Sequence, residues 1–175
     1  MAASRYVPTI EHYVTSDQMI HSPPKTTITV YFDGLCQPIN PGGIACYAFI
    51  IKNGENTIYR EYGLGAHDST NNVAEYTAII KALEWLLANN YKNENIVIKG
   101  DSRLVINQIE RKFKVKAPTI IPLYQRVMFL VSKFNHIQFQ WIPREENKEA
   151  DKLTCRAYEE IMQQRMSYDQ TRRRS

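Results

Sequence analysis

Four acidic residues attract notice by where they fall. Asp33 closes the alternating run Thr27-Ile28-Thr29-Val30-Tyr31-Phe32, and Glu75 sits one turn into a helically spaced segment. Asp101 follows a short apolar stretch, and Asp151 lies in the first turns of the last helical pattern. Converging carboxylates repel one another and resist ionisation unless a cation neutralises them. Mg²⁺ suits this task, because it takes oxygen ligands and keeps waters for substrate oxygens to replace. Two such ions ~3.5–4 Å apart activate an attacking water and stabilise a leaving oxygen, which is phosphodiester chemistry. Singly, each residue has an ordinary explanation. Asp101 would be a helix cap, Asp33 before Gly34 a turn residue, and Glu75 and Asp151 charges at the positive end of a helix. All four on such elements point to a site.

The elements that must position them follow from periodicity. Residues 27–33 alternate as a strand that ends at Asp33-Gly34, and a loop leads to Asn40-Pro41-Gly42-Gly43. A second strand covers 44–52, Asn53-Gly54 signals a type I′ hairpin, and a third strand covers 57–65. Val73, Tyr76, Ile80, Leu83 and Leu87 then take helical spacing, with Thr70 or Asn71 as cap. A buried strand at 95–100, a short helix capped by Asp101-Ser102, a helix at 121–134, a strand at 137–142 and a last helix complete the order. The sequence βββ-α-β-α-α-β-α implies an α/β fold, a mixed five-stranded sheet with helices on its faces. If the first and fourth strands are neighbours, Asp33 and Asp101 meet at one edge, and two helix N-termini add Glu75 and Asp151.

Three segments are expected: an N-terminal extension at 1–26, a globular domain at 27–162, and a disordered basic tail at 163–175 ending in Arg172-Arg173-Arg174. Tyr6, Val7, Ile10, Tyr13 and Val14 give the extension material to pack onto the domain. Hydrophobic residues at 43% and charged residues at 23% support a core without disulfides or structural metal. The net charge of +4 fits a polyanionic partner without establishing one. Cys36, Cys46 and Cys155 are odd in number and lack Cys-x-x-Cys spacing, so they read as reduced thiols of an intracellular protein. No apolar run reaches membrane-spanning length, and the N-terminus lacks a secretory signal, so a cytoplasmic location without membrane association is expected. His12, His21, His67 and His136 show no metal-ligand spacing, and Trp85 and Trp141 read as core residues.

With these residues in place, the chain from 27 to 160 resembles type 1 ribonuclease H. Thr70-Asn71-Asn72-Val73-Ala74-Glu75 is similar to the family's T-N-N-x-x-E motif. Asp33-Gly34, Asn40-Pro41-Gly42-Gly43, Gly100-Asp101-Ser102 and Asn147-x-x-Ala150-Asp151 accompany it in order. The resemblance implies a ribonuclease H-like fold and an endonuclease that cuts the RNA strand of RNA–DNA hybrids, leaving 5′-phosphate and 3′-hydroxyl ends. It implies that Asp33, Glu75, Asp101 and Asp151 bind two Mg²⁺ ions, with Mn²⁺ as a substitute. Asn40, Asn71 and Asn72 match minor-groove contacts, and Thr70 matches a phosphate pocket for the DNA strand. Gly34, Arg103 and Asn147 complete the implied substrate set. The partner is the hybrid alone, met by a monomer with no protein partner implied.

Three departures stand out. Where many members carry a histidine before the last aspartate, this chain has Arg144, as some branches do. Arginine stays protonated and cannot be a general base. It is expected to hold the scissile phosphate or tune charge near Asp151, unless it merely pairs with Glu145, Glu146 or Glu149. Arg103 replaces a glutamine common in bacterial members, and no basic protrusion is evident; the basic connector at 112–116 is too short for one. A non-catalytic hybrid-binding module, another nuclease on the same fold and a domain cut from a reverse transcriptase are the rival readings.

Overall fold

The computed structural model describes residues 26–174. The expected extension, with its apolar residues and His12 and His21, lies outside the described residues except for Thr26. Five strands, β1 (Thr27–Gln37), β2 (Gly43–Asn53), β3 (Asn56–Ser69), β4 (Asn95–Gly100) and β5 (His136–Trp141), form one sheet in the order β3-β2-β1-β4-β5. The β1–β2 and β2–β3 pairs are antiparallel, and the β1–β4 and β4–β5 pairs are parallel. The expected meander and the adjacency of first and fourth strands are therefore present. Helices α1 (Asn71–Ala88), α2 (Arg103–Ile109), α3 (Ile121–Val131) and α4 (Lys148–Arg174) flank the sheet.

Alternation along β2 explains the layers. Phe49 and Ile51 join Ile28, Val30 and Phe32 of β1 in the main core with Ile79, Leu83 and Leu86 of α1. The intervening Ala48 and Ile50 turn to the other face, against Ala150 and Leu153 of α4. β2 is thus buried on both faces, and α1 and α4 each lie across one of them.

Three expectations about the elements need correction. β1 does not end at Asp33-Gly34. Its pairing with β2 continues from Asp33↔Ala48 to Gln37↔Ile44, whereas its pairing with β4 stops at Tyr31↔Lys99. Hydrogen bonds from β2 carry the strand on, and one edge of β1 is left without a strand neighbour beyond Tyr31. Secondly, the hairpin turns on Gly54-Glu55, one residue later than expected, and only Gly54 has positive φ, so it is not type I′. Thirdly, the basic tail is helical, because α4 continues to Arg174. Ile161 and Met162 extend its apolar stripe onto Ile44, Cys46 and Ala157, and Arg165 Nη2 lies 2.9 Å from His67 Nδ1. Trp141 is also not core: it is 37% exposed at the end of β5. Trp85 is partly buried, stacked between Tyr59 and Tyr91.

Candidate active site

The notch where β1 outruns β4 holds the carboxylates. Asp33 lies on the stretch of β1 that pairs with β2 but no longer with β4, and Asp101 follows the last residue of β4. Two glycines permit the approach. A Cβ on Gly100 would run into the Phe32 ring, and one on Gly34 would stand 2.6 Å from Glu75 Cγ and 2.8 Å from Asn71 O. Bare backbone at Gly34 therefore lets the first turn of α1 press Glu75 against β1. Asp151 enters from the first turn of α4.

The ordinary explanations do not account for Asp101, Asp33 or Glu75, whereas Asp151 does lie at the positive end of α4. Ser102, not Asp101, caps α2, its hydroxyl accepting from Val105 N at 3.4 Å. Asp33 is in a strand rather than a turn. Glu75 is only 7% exposed, and its Oε2 has no hydrogen-bond partner. Burial raises the Glu75 pKa to about 8, and the charges of Asp33 and Asp101 add to this against a hydrogen bond from Ser102. Burial likewise raises Asp33 to about 6, opposed by the Thr154 hydroxyl and reinforced by Asp101 and Asp151. Buried acids that disfavour one another's ionisation form a site waiting for positive charge.

The four carboxylates line one open cleft of about 380 Å³, together with Arg144, Asn40 and Asn71. Among the described residues no three His, Cys, Asp or Glu side chains are drawn into a ready-made cage. The donor set still fits a hard divalent ion such as Mg²⁺, which accepts few carboxylates and keeps waters. The unpartnered Glu75 Oε2 is the oxygen such an ion would satisfy. A larger hollow of about 780 Å³ between β3 and the end of α4 contains one carboxylate, Glu160, which is bonded to Arg156 and Tyr62. It lacks the chemistry of the cleft.

Comparison with known proteins agrees with this geometry. Residues 32–157 match the reverse transcriptase-like family. The ribonuclease H of Desulforamulus reducens is 30% identical over 146 residues, covering 74% of this chain and 86% of that protein. LC11-RNase H1, solved in complex with an RNA/DNA hybrid, superposes with a TM-score of 0.71 at 31% identity, covering 77% of this chain and 99% of that one. The chain belongs to the type 1 ribonuclease H family. The bifunctional protein Rv2228c of Mycobacterium tuberculosis is 32% identical over 114 residues, 65% of this chain. This ribonuclease H relative spans only 31% of that mycobacterial protein.

The remaining expected site residues of this ribonuclease H-family chain divide into three groups. Asn40 and Asn71 meet at the cleft, Asn40 Nδ2 donating to Asn71 Oδ1 at 2.8 Å. Arg144 also reaches it, donating from Nη2 to Asp151 Oδ1 at 2.6 Å. It therefore does not pair with its neighbouring glutamates, and Glu149 pairs with Lys52. Thr70, Asn72 and Arg103 lie outside the cleft lining. Thr70 is the α1 cap, accepting from Val73 N at 3.3 Å, and the Arg103 guanidinium stacks 4.0 Å over the Trp141 ring.

Asn147 corrects the expectation of a substrate contact. It is 1% exposed, and its Nδ2 donates to Phe32 O at 2.9 Å and to Asp101 Oδ1 at 2.8 Å. A side chain so enclosed holds the site together rather than touching a ligand. Sequence reasoning missed Thr154, whose hydroxyl donates to Asp33 Oδ2 at 2.7 Å. The available signal was a polar residue interrupting the Ala150, Leu153 and Ala157 stripe three positions after Asp151. Trp141 was also missed as a neighbour of the site, its Nε1 donating to Asp101 O at 3.0 Å.

Proposed function

We propose that this protein is an endoribonuclease that hydrolyses the RNA strand of RNA–DNA hybrids with the aid of two divalent cations. The observation that carries the reading is the gathering of Asp33, Glu75, Asp101 and Asp151 on one cleft, with the buried Glu75 oxygen unpaired. These four residues would hold the ions. Bound Mg²⁺, or Mn²⁺ in its place, supplies charge neutralisation and the Lewis acidity that phosphodiester hydrolysis needs. Arg144 keeps a permanent positive charge beside Asp151 and serves the scissile phosphate, not proton abstraction. Asn40 and Asn71 offer short amides at the cleft, suited to sugar edges in a shallow minor groove, where the 2′-hydroxyl separates RNA from DNA. Asn72, beside that rim, falls to the same minor groove, and Thr70 and Arg103 to strand phosphates. Water attacking phosphorus with departure of the 3′ oxygen leaves 5′-phosphate and 3′-hydroxyl ends. The hybrid bound to LC11-RNase H1 supports the choice of substrate. A monomeric, cytoplasmic enzyme completes the reading.

The test is cleavage of an end-labelled RNA–DNA hybrid with Mg²⁺, with EDTA, and with Asp33→Asn or Asp101→Asn, beside single-stranded and double-stranded RNA. Cutting of the hybrid's RNA strand that requires both Mg²⁺ and the two aspartates is the expected result. Retained binding without cutting by the wild-type protein would replace the enzyme with a non-catalytic hybrid-binding module.

A further inference from the structure

Thr154 is completely buried on α4, one helical turn past Asp151. Its Oγ1 lies 2.7 Å from Asp33 Oδ2 and 2.8 Å from the Asp151 carbonyl oxygen. A hydroxyl has one proton, so it donates to one of these acceptors at a time, and a carboxylate is the stronger acceptor. The carbonyl alone would satisfy a buried threonine on a helix. The hydroxyl nevertheless reaches across to a strand 121 residues away in the chain. The rest of that helix face, Ala150, Leu153 and Ala157, is apolar, so no other side chain on it can hold Asp33.

A parallel contact lies at the start of the same helix. Asn147 joins Asp101 Oδ1 to the Phe32 carbonyl, on the residue before Asp33. The segment that presents Asp151 therefore also reaches a buried donor to Asp33 on β1 and to Asp101 just past β4. Without these donors, a buried carboxylate beside others would turn away to find water or other partners.

We propose that Thr154 is a positioning residue of the cleft, its hydroxyl fixing Asp33 against α4 so that Asp33 and Asp151 keep one spacing toward a shared divalent cation. This rests on the reading of the cleft as a cation site and goes beyond it in assigning a role to a residue that touches neither substrate nor ion. Thr154→Val keeps shape and removes the hydroxyl; Thr154→Ser keeps the hydroxyl and removes a methyl.

The experiment titrates Mn²⁺ into each full-length protein by calorimetry, without substrate, after circular dichroism has checked the fold. Valine is expected to weaken Mn²⁺ binding about tenfold, equivalent to ~1.4 kcal/mol, with serine close to wild type. In cleavage assays the Mg²⁺ concentration for half-maximal rate rises in the valine variant, while KM for the hybrid at saturating Mg²⁺ holds. Should valine fail to fold, Thr154→Ala makes the same comparison. Wild-type Mn²⁺ affinity in the hydroxyl-free variant, or failure of serine to restore it, overturns the inference. The metal titration decides the matter even if the wild-type protein cuts no hybrid, a result that would remove the nuclease reading alone. A wild-type protein that takes up no Mn²⁺ removes both.

Discussion

Replacing Gly34 by alanine should damage the cleft without touching any carboxylate. The new methyl would stand 2.6 Å from Glu75 Cγ and 2.8 Å from Asn71 O, and closer still to the Glu75 backbone nitrogen. Carbon atoms rest ~3.5–4 Å apart, so the first turn of α1 must retreat by about 1 Å. Backbone atoms are involved, and no flexible side-chain tip can yield instead. Overpacking of this kind costs ~1–3 kcal/mol. The retreat carries Glu75 away from Asp33 and Asp101, and a 1 Å misplacement costs on the order of 10²-fold in rate. Urea denaturation gives the stability change, and single-turnover cleavage of the hybrid in Mg²⁺ gives the rate. Gly63→Ala is the control, since its methyl would meet the Tyr47 hydroxyl at 3.5 Å and the ring at 3.6 Å, ordinary contacts. A Gly34→Ala protein with unaltered stability and rate would refute the argument that close approach of α1 to β1 places Glu75.

Three further outcomes follow from the geometry. The Glu75 pKa, raised by burial to about 8, favours the protonated acid in the folded state, and Asp33 at about 6 acts in the same direction. Stability in EDTA is therefore full below the ordinary carboxylate range and lost as pH rises through about 6 to 8, so Tm falls across that window. Mg²⁺ reverses the fall and Glu75→Gln flattens it; a Tm in EDTA that ignores pH there would contradict the burial argument. Asn147→Ala leaves the buried Phe32 carbonyl and Asp101 without their donor, and should cost about 2 kcal/mol in urea denaturation along with cleavage rate. An unchanged midpoint would show that the contact is not structural. Deleting residues 172–174 should weaken hybrid binding mainly at low salt and shallow the salt dependence; identical slopes would make this end of α4 irrelevant to the substrate.

How far the sequence reaches is clearest residue by residue. The alternation of Ile28, Val30 and Phe32, the helical spacing from Val73 to Leu87 and the strand-helix order are local signals. Together they defined the sheet class, and with the Thr70–Glu75 motif they singled out the four carboxylates. The α1 cap was legible to within one residue, Thr70 or Asn71, because capping is decided within one turn, and it is Thr70. What the sequence left open depends on partners distant along the chain. Asp33 reads as a strand end beside Gly34, yet β2 keeps β1 extended to Gln37 while β4 stops pairing at Tyr31, and that mismatch makes the notch. Asn147 reads as a substrate contact until the fold closes Phe32 and Asp101 over it. The basic tail reads as disordered because its charges are local, whereas the apolar stripe that orders its helix finds Ile44 and Cys46 only after folding. Residue type and short-range period are written in the chain itself. Register, burial and the pKa values of the cleft arise only when segments far apart in sequence exclude water from one another.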